Sequence, residues 1–334
     1  MNSAPSLSVV VCAYTCDRWD DLRAALASVQ SQHRPPDDIV LVVDHCADLH
    51  RLARDRLPGV RVIPNRYRRG LSGARNTGVA AAVGDVVAFL DDDAVAHASW
   101  TDRLLTRYTD PRVAGVGGLV IPWWQSGRPD WFPPEFDWVV GCSYRGLPEE
   151  PAPVRNFIGA NMSFRRSELV AAGGFRTDLG RVGTRPLGCE ETELCLRIKS
   201  RHPRAVLLYD PSAAVRHRVP AARASWSYFR SRCYAEGLSK ALVARHSDGT
   251  AALSSERTYL RSTVPRAMLR ALRPGRSAPV RTVAALSLGV GATVAGYAVG
   301  SARALRSVTP PAAPAVLGAA GAAPVRESTR GALS

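Results

Sequence analysis

Three consecutive aspartates, Asp91, Asp92 and Asp93, follow the apolar run DVVAFL without a break. Carboxylates crowded at one point repel one another unless a cation neutralises them. Hard divalent cations such as Mg2+ or Mn2+ take one or two carboxylates and complete their oxygen shell from water and phosphate. A second acidic group, Glu190, Glu191 and Glu193, opens a helical pattern after Gly188. Crowding can hold one member of such a trio near a neutral pKa, as a general base requires; acidic residues in a first helical turn are also favoured by the helix dipole alone. Gly70–Asn76 (GLSGARN) is a glycine turn into a helix, where free amides and Arg75 suit an anion. Asp44, in VVDHCAD, could accept hydrogen bonds from a base or a ribose, and His217 stands in VRHRV. Taken singly, each also reads as ordinary surface or packing chemistry.

The elements that must position these groups follow from apolar runs and periodicity. Leu7–Ala13, Asp38–Val43, Val60–Pro64 and Asp85–Leu90 read as strands, with helices over Asp20–Gln32 and Leu71–Val83. This alternation predicts an α/β fold, a Rossmann-like and mainly parallel sheet flanked by helices, joined by right-handed crossovers. Ligands bind such sheets at the carboxyl ends of the strands, where Asp44 and Asp91–Asp93 both fall. Further on, the pattern predicts a strand over Asn156–Phe164 and helices over Arg166–Ala172 and Glu190–Ser200. Between them lies a Pro-rich stretch crowded with Trp123, Trp124, Trp131, Phe132, Phe136 and Trp138, expected to be a long irregular loop. The segment Trp123–Trp138, Trp131 and Trp138 within it, is a candidate ligand wall, since flat rings stack on ring faces and apolar chains; packing of a second core layer is the alternative.

The 334 residues carry 44 Lys+Arg against 29 Asp+Glu, a net charge of +15. That balance favours polyanionic partners. No zinc-ligand pair or aromatic RNA motif accompanies it, so nucleic acid is not expected, and phosphorylated ligands or an anionic membrane surface are. The seven cysteines are odd in number and form no CxxC pair, which fits free thiols in a reducing compartment. With no basic n-region at the N-terminus, the catalytic part is expected on the cytoplasmic side of the cell membrane. The chain divides into residues 1–115, 116–250 and a basic, helical tail over 251–334. In that tail, Leu260, Val264, Met268 and Leu272 recur at helical spacing among arginines. Thr282–Ala302 is uncharged, close to the roughly 20 residues a membrane span needs, and holds Gly296 and Gly300 at GxxxG spacing. Peripheral association or a single C-terminal span is expected.

In order and spacing, SVVVCAYTCDR (8–18), IVLVVDH (39–45), RRGLSGARNTGVAAAVGDVVAFLDDDA (68–94), IGANMSFRRSELVAAGGF (158–175) and GCEETELCLRI (188–198) resemble family 2 glycosyltransferases of the GT-A fold. The aromatic stretch PDWFPPEFDWVVGCSYRGLP looks similar to transferases that extend a sugar on dolichyl or polyprenyl phosphate, including archaeal-type glucuronosyltransferases. The resemblance implies an inverting transfer from a nucleoside-diphosphate-sugar to a hydroxyl of a glycan or lipid-linked sugar. It implies Asp91 and Asp93 as metal ligands, with Asp92 near the sugar or ribose and Asp44 in the nucleoside pocket. Arg75 would lie beside the diphosphate or ribose, Asn161 on the substrate side and His217 at the metal or diphosphate. Glu191 takes the place of the catalytic base, with Glu190 as the alternative, because the family usually has Glu-Asp where this chain has Glu-Glu. His45 likewise stands where many members carry a second acidic residue. Two rival functions are transfer to a soluble polysaccharide or natural product, and non-catalytic binding of a nucleotide sugar.

Overall fold

Aliphatic and β-branched runs become the central strands of a nine-stranded sheet ordered β3-β2-β1-β4-β8-β6-β9-β5, with β7 paired to β9. The computed structural model describes residues 5–180, 188–246, 254–273 and 278–306. β1 (Leu7–Ala13), β2 (Asp38–Val43), β3 (Arg61–Pro64) and β4 (Val86–Asp91) pair in parallel. Such strands are covered on both faces, which is why they read as continuous apolar runs. α1 (Trp19–Gln30) buries Leu22, Ala25, Leu26 and Val29 on one side. α3 (Leu71–Ala81) lays Ala74 and Val79 on the other. α3 approaches β1 so closely that a Cβ on Gly78 would sit 2.4 Å from Val10 Cγ1.

The second half of the sheet mixes directions. β8 (Asn161–Arg165) runs antiparallel to both β4 and β6 (Val113–Trp124), whereas β9 (Val206–Val219) runs parallel to β6. β5 (Ala94–Ala96) and β7 (Ala152–Pro153) pair antiparallel to β9. Thus β1, β2, β3, β4, β6 and β9 share one direction, as the alternation predicts, while β5, β7 and β8 oppose them. The boundary expected at residue 115 falls inside β6.

Neither β6 nor β9 was evident from pattern, nor was α2 (Ala47–Arg56). β6 contains Gly115, Gly117 and Gly118, residues that weaken a strand. Their absent side chains leave room for neighbours: a Cβ on Gly117 would lie 2.3 Å from Phe157 Cδ1, and one on Gly118 1.8 Å from the Ala213 carbonyl. The β6–β9 register shifts between Asp210 and Val215, where Asp210 Oδ1 accepts from the Ser212 amide at 2.9 Å.

The aromatic stretch is a packing layer. Trp131 stacks on Trp226 at 4.0 Å between ring centroids and meets Phe229 edge-on at 5.6 Å. Trp138 packs on the same core, and its Nε1 donates to Tyr259 Oη at 3.4 Å. These rings seat α7 (Trp226–His246) on the sheet. Within the expected wall Trp123–Trp138, Trp131 is buried in the core and Trp138 is partly buried against it, so these two are corrected to packing residues, whereas Trp123 is exposed.

α4 (Trp100–Arg107), α5 (Arg166–Ala171) and α6 (Glu190–Arg201) complete the catalytic body. The tail forms α8 (Ser254–Thr258), a π-helical turn over Tyr259–Thr263, α9 (Val264–Ala271) and α10 (Pro279–Arg306). α10 lies against α7 along small residues. A Cβ on Gly296 would meet the Tyr234 carbonyl at 2.0 Å, one on Gly237 the Thr293 carbonyl at 2.1 Å, and one on Gly300 the Ala241 Cβ at 2.7 Å. The GxxxG pair thus packs on the chain's own α7.

Candidate active site

The aspartate cluster sits where β4 ends, and the register explains its company. β1 places Cys12 opposite Asp91, while β5 turns straight out of the cluster and pairs with β9 so that Ala94 faces His217. The amide of Arg218 donates to the Asp93 carbonyl at 2.9 Å. A residue 124 positions along the chain is thereby fixed beside Asp93, and His217 Nε2 lies 3.1 Å from Asp93 Oδ1. The facing ligand atoms of Asp91, Asp93 and His217 all lie within 4.8 Å of one another. Cys142 Sγ lies 3.6 Å from the other ring nitrogen, His217 Nδ1, which holds the ring with Nε2 toward the aspartates.

This set fits a divalent cation. Asp92 Oδ2 is buried with no hydrogen-bond partner. Burial, and then the neighbouring Asp93 charge, push the Asp92 carboxyl up to about 8. Burial disfavours charge on Asp93 and His217 too, yet each supports the other: Asp93 is held below the usual carboxylate range and His217 well above the usual imidazole value. Two oxygens and an imidazole nitrogen converging beside an orphaned carboxylate oxygen are a donor set for a borderline or hard cation.

The cluster opens on a cavity of about 250 Å³ lined by Cys12, Tyr14, Arg18, Asp44, Arg69, Asp91, Asp92, Asp93, His217 and Arg223, among others. Asp44 is buried, and its carboxylate organises the wall: Asn65 Nδ2 donates to Oδ1 at 2.7 Å, His45 Nδ1 lies 2.8 Å from Oδ1, and the Gly70 amide donates to Oδ2 at 2.9 Å. His45, the departure from the family pattern, adopts φ 54 and offers its carbonyl to Arg69 Nη2 at 2.9 Å. Burial pushes the Cys12 thiol up to about 12, so it stays protonated.

Arg75 is fully enclosed on α3. Its Nη1 donates to Glu190 Oε1 at 2.9 Å, and its Nη2 donates to the Gly159 carbonyl at 3.0 Å and reaches Asp91 Oδ1 at 3.5 Å. It ties the strand end to the acidic helix and does not line the cavity, so its expected place beside the diphosphate or ribose is corrected to that of a buried brace. Asn161 is corrected likewise. Its Oδ1 accepts from Trp100 Nε1 at 2.8 Å, and its Nδ2 donates to the Ala213 and Leu119 carbonyls at 2.8 and 3.1 Å. With that capacity spent inside the core, it locks β8 to β6 and β9.

α6 brings the second acidic group. It starts after Cys189, a non-glycine residue at φ 70, a conformation that costs about 1 kcal/mol or more. Glu190 is neutralised by Arg75 and Glu193 by Arg197. Glu191 is only partly buried and has no ion-pair partner among the described residues. Burial, and then the Glu190 charge, push its carboxyl up to about 8. Sequence reasoning missed Arg18, Arg69 and Arg223 at the cavity and Cys142 behind His217. Arg18 lay within the quoted SVVVCAYTCDR stretch; Arg223, beyond a strand that the pattern did not reveal, gave no signal.

Residues 8–170 match the family described as Glycosyl transferase family 2. The glucosyl-dolichyl phosphate glucuronosyltransferase of Haloferax volcanii is 34% identical over 241 residues, 71% of this chain and 77% of that protein. The pre-mycofactocin glycosyltransferase of Mycobacterium tuberculosis is 28% identical over 195 residues, 58% of this chain but 39% of that longer protein. Among solved structures, the mannosyltransferase PcManGT from Pyrobaculum calidifontis, in complex with GDP-Man and Mn2+, superposes with a TM-score of 0.56 at 18% identity over 90% of this chain and 87% of its own, which shows a shared fold. Sequence, architecture and the strand-end carboxylates agree, and the chain belongs to glycosyl transferase family 2.

Proposed function

We propose that this enzyme transfers a sugar from a nucleoside-diphosphate-sugar to a hydroxyl of a sugar carried on dolichyl or polyprenyl phosphate, with inversion, at the cytoplasmic face of a membrane. The reading is carried by Asp91, Asp93 and His217, whose ligand atoms all lie within 4.8 Å of one another at the cavity; Glu191, outside that lining, is the acidic residue of its trio with no ion pair among the described residues. Asp91, Asp93 and His217 would hold a divalent cation, Mn2+ or Mg2+, which as a Lewis acid stabilises charge on a departing diphosphate. Asp44 and the loop it ties through Gly70 shape the nucleoside end of the cavity. Glu191 accepts the acceptor hydroxyl's proton as the oxygen attacks the anomeric carbon, and the bond to the diphosphate breaks on the opposite face. One displacement needs no protein nucleophile, and the protonated Cys12 offers none. Arg75 holds Glu190 in an ion pair, which leaves Glu191 as the proposed base.

The lipid-linked acceptor is supported by the name of the Haloferax relative and by the tail. Pro279–Arg303 is long and apolar enough to cross a membrane, with a mean hydropathy of 1.6 over its apolar window. Exposed Leu269, Leu272 and Val280 are interspersed with exposed Arg266, Arg273 and Arg281, a surface suited to anionic lipid. The seven free cysteines fit a reducing compartment. The test is a panel of nucleotide sugars, glucuronic acid donors included, with Mn2+ or Mg2+ and a dolichyl-phosphate-linked hexose. Released nucleoside diphosphate and an extended glycolipid are expected. Turnover confined to soluble acceptors would replace the acceptor assignment, and the absence of any donor turnover would remove the catalytic reading.

A further inference from the structure

Arg18 stands in the place of a cation. It lies in the turn between β1 and α1, and its Nη1 is 2.9 Å from both Asp92 Oδ1 and Asp93 Oδ2. Its Cζ lies 4.9 Å from the centre of the exposed Tyr14 ring, and both residues line the cavity. The other arginines near the site are held by the protein, Arg223 through its Nη1 on the Val140 carbonyl at 3.5 Å. Arg75 is locked on Glu190 and Gly159, and Arg69 donates to the His45 carbonyl. Arg18 makes polar contacts with these two carboxylates, of which Asp93 is a candidate metal ligand and Asp92 its neighbour.

We propose that Arg18 neutralises Asp92 and Asp93 while the donor is absent, and turns to the donor's diphosphate when cation and donor enter, so that the two bind cooperatively. The inference rests on the proposed function. Two positive charges a few ångströms apart repel, so a guanidinium on Asp93 weakens cation binding there. A diphosphate offers the guanidinium a bidentate partner of higher charge and draws it off the carboxylates. The cation and the diphosphate then each favour the arrangement that binds the other, which makes the coupling reciprocal. The exposed Tyr14 face gives the side chain an apolar surface along which to move.

The experiment is Mn2+ binding, followed by the paramagnetic signal of the free ion, with the full chain alone and with UDP or GDP, whichever binds more tightly. The wild type is expected to bind Mn2+ weakly alone and at least tenfold more tightly with nucleotide. Arg18→Gln is expected to bind Mn2+ alone about tenfold more tightly than the wild type, to bind nucleotide about tenfold more weakly, and to lose most of the coupling. Mn2+ affinity of a folded Arg18→Gln protein equal to or below that of the wild type overturns the proposal. Should that variant not fold, Arg18→Met, which removes the charge but keeps an unbranched stem of similar length, is read the same way. Wild-type Mn2+ affinity indifferent to nucleotide also overturns it. A wild type that binds neither Mn2+ nor nucleotide removes the proposed function itself, whereas normal binding of both with no effect of Arg18→Gln removes this inference alone.

Discussion

Arg75 Nη1 donates to Glu190 Oε1 at 2.9 Å across 115 positions of sequence, and this contact pairs one of two adjacent glutamates while the other has no ion pair among the described residues. Glu190 is neutralised inside the protein, so its substitution is a folding problem first. Glu191→Gln is expected to lower kcat by about 10²- to 10⁴-fold with nucleotide affinity nearly unchanged, since the swap keeps shape and removes the proton acceptor. Glu190→Gln leaves Arg75 buried beside a neutral group and is expected to cost about 3 kcal/mol of stability, read as a lower denaturation midpoint. A stable, inactive Glu190→Gln beside an active Glu191→Gln would move the base by one residue.

The same crowding sets a pH dependence. Burial and the Glu190 charge hold Glu191 at about 8, above its ordinary 4.5, so at neutral pH most of it is protonated. A base must be ionised to act, so kcat/KM is expected to rise about tenfold per pH unit below 8 and to level off above it. The stability effect has the opposite slope. A carboxyl with a raised folded pKa stabilises the fold fully below 4.5, and that contribution is lost as pH rises through about 8. Glu191→Gln is expected to flatten both slopes. A rate profile level from pH 6 to 9 in the wild type would rule out Glu191 as the titrating base.

At the aspartate cluster, Asp93→Ala and exhaustive chelation are each expected to abolish transfer, with Mn2+ or Mg2+ restoring only the chelated wild type. Cys142→Ala tests the support behind His217. The thiol holds His217 Nδ1 at 3.6 Å, and its loss frees the ring to rotate. Outer partners of a metal-bound histidine are worth about 10- to 100-fold in metal affinity, so a fall of at least tenfold is expected. Transfer that survives chelation, measured as released nucleoside diphosphate, would exclude the metal.

Which parts were legible follows from what each residue had to do alone. Leu7–Ala13 and Asp38–Val43 are buried on both faces, so their sequence carries nothing but that burial and their bounds were readable to the residue. The place of Asp91–Asp93 at the end of β4 was readable because the apolar run stops there. Asn161 and Arg75 misled because a resemblance transfers a position, not its bonds, and here both are spent on backbone carbonyls or buried acids. Trp131 misled because an aromatic residue suits a sugar face and a core equally well. β6 was hidden by glycines whose reason, the Phe157 ring pressing on Gly117, lies 40 residues away. Arg18 was hidden by the commonness of its type in a basic chain.

The tail offers the last test. α10 has the length for a span, yet its glycine face is already occupied: Gly296 and Gly300 close on α7, and Gly289 lies under Phe136. α7 in turn carries Arg232, Glu236 and Lys240 in linked ion pairs and inserts Phe229 and Cys233 into the main core, so it cannot follow α10 into hydrocarbon. Pulling α10 away would open the seam at Gly237 and uncover Ala285 and Leu286, both fully buried. Val280, Leu288 and Val294 of α10 are exposed, as are Leu269 of α9 and Leu272 just beyond it. Each arginine near an anionic surface contributes about 1 kcal/mol, which makes attachment salt-sensitive. The protein is expected to sediment with phosphatidylglycerol vesicles at low salt, to come off partly at high salt, and to come off fully in alkaline carbonate. Leu269→Glu with Leu272→Glu is expected to weaken vesicle binding at least tenfold while leaving turnover of a detergent-dispersed acceptor intact. Protein retained in the carbonate pellet would establish a span, and protein left in the supernatant with every vesicle composition would end the membrane assignment.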